Sequence, residues 1–283
     1  MAAPTGPLIS ADALRAELAG PVPPVVLEVR WALGGPDSEQ EYLRGHLPGA
    51  FHLDLDTVLA GPRTPGSGRH PLPDAAVLQA FLRSVGVDQD TRVVVLDANG
   101  STSAARGWWV LRWAGLRAVT VLDGGLAAWA AAGGEVTTVV PSAREGHVVV
   151  RAGSLPVLDA NAAARLARTG VLLDARAPER YRGEVEPVDP VAGHVPGALN
   201  APTTANLAPD GRFLPPARLA ERFADLGVRP GTAVGVYCGS GVTATHELLA
   251  LAVAGVDATL YPGSWSEWVA SGERPVATGP DPG

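Results

Sequence analysis

Gly193-His194-Val195-Pro196-Gly197-Ala198 repeats, with one change, the stretch Gly45-His46-Leu47-Pro48-Gly49-Ala50. Near-identity over six residues in the same order marks a duplication, and self-similarity decides the domain count before any fold can be assigned. The flanks extend the match. Upstream, Val26-Leu27-Glu28-Val29-Arg30 answers to Leu172-Leu173-Asp174-Ala175-Arg176, each a short apolar run closing on an acid and an arginine. Downstream, Val93-Val94-Val95-Leu96-Asp97 answers to Val234-Gly235-Val236-Tyr237-Cys238. Val121-Leu122-Asp123-Gly124-Gly125 with Trp129 answers to Leu260-Tyr261-Pro262-Gly263-Ser264 with Trp268.

Within each half, apolar runs of strand length alternate with helical patterns, at 75–85 and 104–114 in the first and at 160–167, 217–226 and 243–254 in the second. Alternating β and α elements imply an α/β fold, here a tandem duplication of a parallel-sheet domain with helices on both faces. Gly, Pro and polar residues interrupt the periodicity over 133–155. This predicts a first domain over 1–140, a linker over 141–155 and a second domain over 156–283. Sites in such sheets form beyond the carboxyl ends of the strands.

The only cysteine of the 283-residue chain stands at such an end. In Tyr237-Cys238-Gly239-Ser240-Gly241-Val242-Thr243 a strand passes through small residues into a helix. Gly239 and Gly241 allow a sharp turn that points backbone N–H groups inward, so Cys238 faces amide donors and the positive end of a helix dipole. That setting favours an anionic, nucleophilic sulfur over an inert buried thiol. The corresponding position in the first half is Asp97 or Ala98, depending on one gap, so that domain is predicted to be catalytically silent.

Composition removes other classes. The chain has no lysine, which excludes Schiff-base chemistry, pyridoxal-phosphate catalysis and a Walker-type loop. A net charge of −7 without an arginine-rich run argues against nucleic acid. Six scattered histidines and one cysteine give no metal-ligand spacing, so neither metal nor cofactor is expected. No segment is long and apolar enough to cross a membrane, and Met1-Ala2-Ala3-Pro4-Thr5-Gly6 has no signal-peptide character. A lone cysteine fits a reducing cytoplasm.

Tandem halves carrying Gly-His-x-Pro-Gly-Ala and one Cys-Gly-Ser-Gly-Val-Thr loop resemble the two-domain rhodanese family, the thiosulfate and 3-mercaptopyruvate sulfurtransferases. The resemblance implies that Cys238 takes a sulfane sulfur from a small-molecule donor as a persulfide and passes it to cyanide or to a thiol acceptor such as thioredoxin. It also implies that the amides of Gly239, Gly241, Val242 and Thr243 cradle the sulfur. The loop after Cys238 is uncharged, as in the mercaptopyruvate branch. By motif position that branch implies catalytic roles for Ser240, Asp56 and His70, and a substrate-binding role for Arg180. The branch's second arginine falls on Asp189, which leaves thiosulfate as the alternative donor; Arg182 is a candidate replacement.

Each residue has a plainer reading. Ser240 could cap the following helix, Asp56 and His70 could be turn residues, and Arg180 and Arg182 a solvated pair. His46 and His194 read as structural, because both copies keep them while one has a nucleophile. Trp108, Trp109, Trp265 and Trp268 read as core. A cysteine phosphatase shares the strand–loop–helix plan but needs an arginine six residues after the cysteine, where this chain has Ala244. A non-catalytic sulfur-carrier or interaction module is the remaining rival, against which the retained Cys238 argues.

Overall fold

The structure, a computed structural model, describes residues 6–283. The N-terminal stretch read for a signal lies, apart from Gly6, outside the described residues. The chain forms two compact units. One comprises 6–61, Leu72–Leu155 and Pro209–Arg212; the other comprises Pro62–Pro71, Pro156–Ala208 and Phe213–Gly283.

The first unit runs β1 (Leu8–Ile9), α1 (Ala11–Leu18), β2 (Val25–Glu28), α2 (Ser38–Arg44), β3 (Ala50–His52), α3 (Ala75–Ser84), β4 (Val93–Leu96), α4 (Thr102–Trp113), β5 (Val119–Leu122) and α5 (Gly125–Ala131). Its strands are all parallel, in the order β1-β5-β4-β2-β3. Every residue of β4 and β5 is buried. Side chains alternate between the faces of a strand, so both faces of the sheet are covered. Helices α1 and α3 start on Ser10 and Asp74, whose side chains accept amide N–H groups of the first turn.

The second unit runs α6 (Ala160–Thr169), β6 (Val171–Asp174), α7 (Pro178–Tyr181), β7 (Leu199–Asn200), a 3-10 turn (Thr203–Asn206), α8 (Pro216–Asp225), β8 (Val234–Tyr237), α9 (Thr243–Val253), β9 (Thr259–Leu260) and α10 (Ser264–Trp268). Its parallel order is β7-β6-β8-β9, and a single parallel bridge, Val157 to Leu260, stands where β1 stands in the first unit. The duplication seen in the motifs is thus a duplication of topology. The chain switches sides between β2 and β4 and again between β6 and β8, and loops beyond the carboxyl ends of such strand pairs form the binding crevice.

The Gly-His-x-Pro-Gly-Ala motifs have the same task in both units. His46 stacks on Tyr42 at 3.8 Å and reaches the carbonyls of Tyr42 and Val139. His194 stacks on Tyr181 at 3.7 Å and reaches the carbonyls of Tyr181 and Pro282. Each ring clasps the chain that follows its own unit's last helix, with backbone bridges His46 to Thr137 and His194 to Ala277 alongside. The four tryptophans read as core are all buried. Residues between the halves lie along the first unit, where Gly146, Val148, Arg151 and Ser154 donate to the carbonyls of Arg83, Val87, Ala114 and Trp113.

Candidate active site

Cys238 follows the last residue of β8 and is 2% exposed. Its loop keeps the sulfur against backbone: the Gly241 N–H lies 3.2 Å from Sγ. Gly241 adopts φ +82°, and a Cβ there would run into the Pro262 carbonyl oxygen, so both conformation and space require glycine. On the other side, the Cys238 N–H donates to the Ser264 hydroxyl at 3.1 Å, while Cys238 and Gly239 carbonyls accept the amides of Trp265 and Ser266 at 2.9 Å. Ser264 holds φ +54°, a left-handed backbone rarely taken by a non-glycine residue. Its first-half counterpart is Gly125, also at positive φ. Nothing in the sequence marks Ser264 as a support for Cys238, because an ordinary serine at a helix start looks like a cap.

Ser240 does not cap α9. The helix starts on Val242 with no side-chain cap, and the Ser240 hydroxyl lies 2.7 Å from His70 Nδ1. Both residues are buried. His70 reaches this position because Pro62–Pro71 belongs to the second unit. There Gly68 fits closely against Gly263, and the Arg69 N–H donates to Ser266 Oγ at 3.1 Å. Of the expected cradle residues Gly239, Gly241, Val242 and Thr243, Gly241 brings its N–H to the sulfur, while Val242 is buried and Thr243 opens α9. Asp56 belongs to the first unit, where it is exposed and accepts the Trp31 indole N–H at 3.0 Å. Partial desolvation of its carboxyl and the neighbouring Asp54 raise it above the ordinary range, against the pull of the Trp31 bond.

Arg180, on α7, is engaged by acids. It bonds Glu186 at 2.6 and 3.3 Å, and Asp189 lies 3.6 Å away. Arg176 completes the network, bonding Asp174 and the Gly193 carbonyl and reaching Glu186 at 3.3 Å. Burial works to raise Glu186, but bonds from Arg180 and from the amides of Asp189 and Val188 outweigh it and hold the carboxyl below its ordinary range. Asp189 goes the other way: burial, helped by Glu186, exceeds the pull of Arg69 and Arg180. Arg182 pairs with Glu184 at 2.7 and 2.8 Å. Arg69, absent from the sequence-derived set, ion-pairs Asp189. It was invisible in sequence because its partner lies 120 residues away.

The first unit answers the question of its missing nucleophile. Glu28 pairs with Leu96 and Asp174 with Tyr237, so the next residue along, Asp97 and not Ala98, occupies the cysteine's position. Asp97 is fully buried, and its carboxylate accepts the amides of Asn99 and Ser101 on one oxygen and of Ser103 and Ala104 on the other, at 2.9–3.2 Å. Burial raises this carboxyl against the pull of those four bonds. The loop is an anion cradle filled by its own side chain.

Among the described residues no cluster of His, Cys, Asp or Glu could hold a metal ion, and no helix is long and apolar enough to cross a membrane. The rhodanese-like domain profile matches residues 10–132 and 159–271. A Pseudomonas aeruginosa protein named probable 3-mercaptopyruvate sulfurtransferase is 49% identical over 279 residues, covering 96% of this chain and 98% of that one. A Mycobacterium tuberculosis protein whose name carries the words thiosulfate sulfurtransferase SseB is also 49% identical, over 273 residues, covering 93% and 95%. The crystal structure of SseA from Escherichia coli, described as a 3-mercaptopyruvate sulfotransferase, superposes with a TM-score of 0.81 at 33% identity, covering 93% of this chain and all of that one. With two matched segments that coincide with two parallel-sheet repeats, and with relatives aligned over nearly its whole length, the chain belongs to the rhodanese family as a tandem-domain sulfurtransferase.

Proposed function

We propose that the chain moves sulfur from 3-mercaptopyruvate to a thiol through a persulfide on Cys238. The Cys238 thiolate attacks the donor's thiol sulfur. An S–S bond forms, the C–S bond breaks, and its electron pair leaves as the pyruvate enolate, which takes a proton at carbon. The single observation that carries this reading is the 2.7 Å contact between His70 Nδ1 and the hydroxyl of Ser240, two residues after Cys238. A carbanion-like leaving group needs a proton donor at that place, whereas sulfite from thiosulfate departs as a stable anion. The uncharged loop and the charge-balanced set of Arg69, Arg176 and Arg180 with Asp174, Glu186 and Asp189 also suit a monoanion better than dianionic thiosulfate.

In this reading Arg180 and the loop amides of Gly239, Gly241, Val242 and Thr243 hold the donor, while Ser240 and His70 manage the proton. The N-terminal domain is catalytically silent, since Asp97 offers no nucleophile. A second thiolate, such as that of reduced thioredoxin in a reducing cytoplasm, attacks the outer sulfur, and Cys238 leaves as thiolate. Thiosulfate is the alternative donor, favoured by the name of the mycobacterial relative. Mass spectrometry after donor alone should show about 32 Da added on Cys238, the mass of one sulfur. Turnover on the two donors decides between them; a clear preference for thiosulfate overturns the branch assignment.

A further inference from the structure

The acid at position 189 looks, in sequence, like the loss of a cation from the donor site. The structure gives it a partner. The Asp189 side chain is 4% exposed and ion-pairs Arg69, which is itself 13% exposed. The Arg69 guanidinium turns its other edge to the nucleophile loop: Nη2 stands 2.9 Å from where a Cβ on Gly239 would sit, with Arg180 Nη1 and Nη2 at 3.6 Å from the same point. Two guanidinium groups therefore cover the residue that follows Cys238. Arg69 is fixed there from both ends of its backbone, by its own N–H on Ser266 Oγ and by the next residue's imidazole on Ser240. Its Nε is buried and has no hydrogen-bond partner among the described residues. A buried, unsatisfied N–H on a charged group is costly unless a ligand completes it.

We infer that Arg69 is the second carboxylate-holding cation of this sulfurtransferase, with Asp189 as the anchor that aims it. The positive charge has moved from position 189 to position 69, and Arg69 and Arg180 orient a carboxylate-bearing donor over Cys238. This deepens the mercaptopyruvate reading, on which the identity of the donor rests. Arg69 touches the donor's carboxylate and not the reacting sulfur, so its part is substrate orientation. The neutral Gly239 follows from the same geometry, because any larger residue would displace the guanidinium.

The charge over the loop can be read without any sulfur donor, from alkylation of Cys238 by iodoacetate and by iodoacetamide, which differ in one carboxylate. Arg69→Gln should lower the ratio of the iodoacetate rate to the iodoacetamide rate by roughly tenfold, the size of one partly screened charge contact, while the iodoacetamide rate stays within about twofold. Arg69→Lys should keep most of the ratio. An unchanged ratio in Arg69→Gln overturns the inference, as does an equal fall in both rates, which would make Arg69 a packing residue. If the enzyme instead preferred thiosulfate in turnover, the donor assignment would fail while the alkylation ratio still reported on Arg69.

Discussion

His70 Nδ1 and Ser240 Oγ lie 2.7 Å apart across 170 residues of sequence, both buried, with Ser240 two residues after the only cysteine. Groups that pass one proton act as a unit, so removing either removes the relay. Ser240→Ala and His70→Asn should each lower kcat for 3-mercaptopyruvate by about 10²-fold, with the double variant no worse than either single one. Pyruvate release measured by a coupled dehydrogenase assay checks this. Additive losses would show that the two side chains act separately.

Gly241 combines positive φ with backbone contact to Pro262. Gly241→Ala should destabilise the protein by roughly 2–4 kcal/mol, left-handed strain and a steric shift together. It should also abolish persulfide formation, because the amide that donates to Cys238 Sγ is the one displaced. Urea midpoints and mass spectrometry after donor treatment test the two effects separately.

Asp97 satisfies four buried amides. Asp97→Ala leaves them unpaired, and with about 1–3 kcal/mol per orphaned donor partly relieved by entering water, a loss of at least about 3 kcal/mol is expected. Denaturant unfolding provides the measurement. A neutral substitution would mean that the cradle needs no anion.

Glu186 lies below its ordinary value of 4.5 in the folded protein, so the unfolded chain takes up the proton first as the pH falls. Its stabilising contribution is therefore complete above pH 4.5 and disappears as the pH drops through the folded value. Glu186→Gln, which also leaves Arg176 with one acid fewer, should cost about 3 kcal/mol at neutral pH. The gap to the parent protein should narrow in acid, and urea midpoints compared at neutral pH and near pH 3.5 would reveal a constant gap if the assignment were wrong.

Much of this was legible in the chain. Helices expected at 75–85 and 104–114 are Ala75–Ser84 and Thr102–Trp113, and the nucleophile loop lies between strand and helix as its Gly-Ser-Gly composition requires. Ser240 was ambiguous, because a serine ahead of a helix reads equally as a cap, and only the position of His70 separates the two. The choice between Asp97 and Ala98 was equally open, since one gap in a short loop has no local cost; strand register closes it.

The sequence alone determined the duplication, the α/β alternation and the place of the single cysteine at a strand end, because periodicity, glycine placement and repeated motifs are local properties carried by neighbouring residues. Tertiary structure decided the rest. It lodged Pro62–Pro71 in the second unit, paired Arg69 with Asp189, tied Arg180 to Glu186 and filled the first unit's cradle with Asp97. Apart from the Asp97 cradle and the pair formed by Arg180 and Glu186, these contacts join residues far apart in the chain. They exist only because burial makes each unpaired charge or amide seek whatever partner the fold brings within reach.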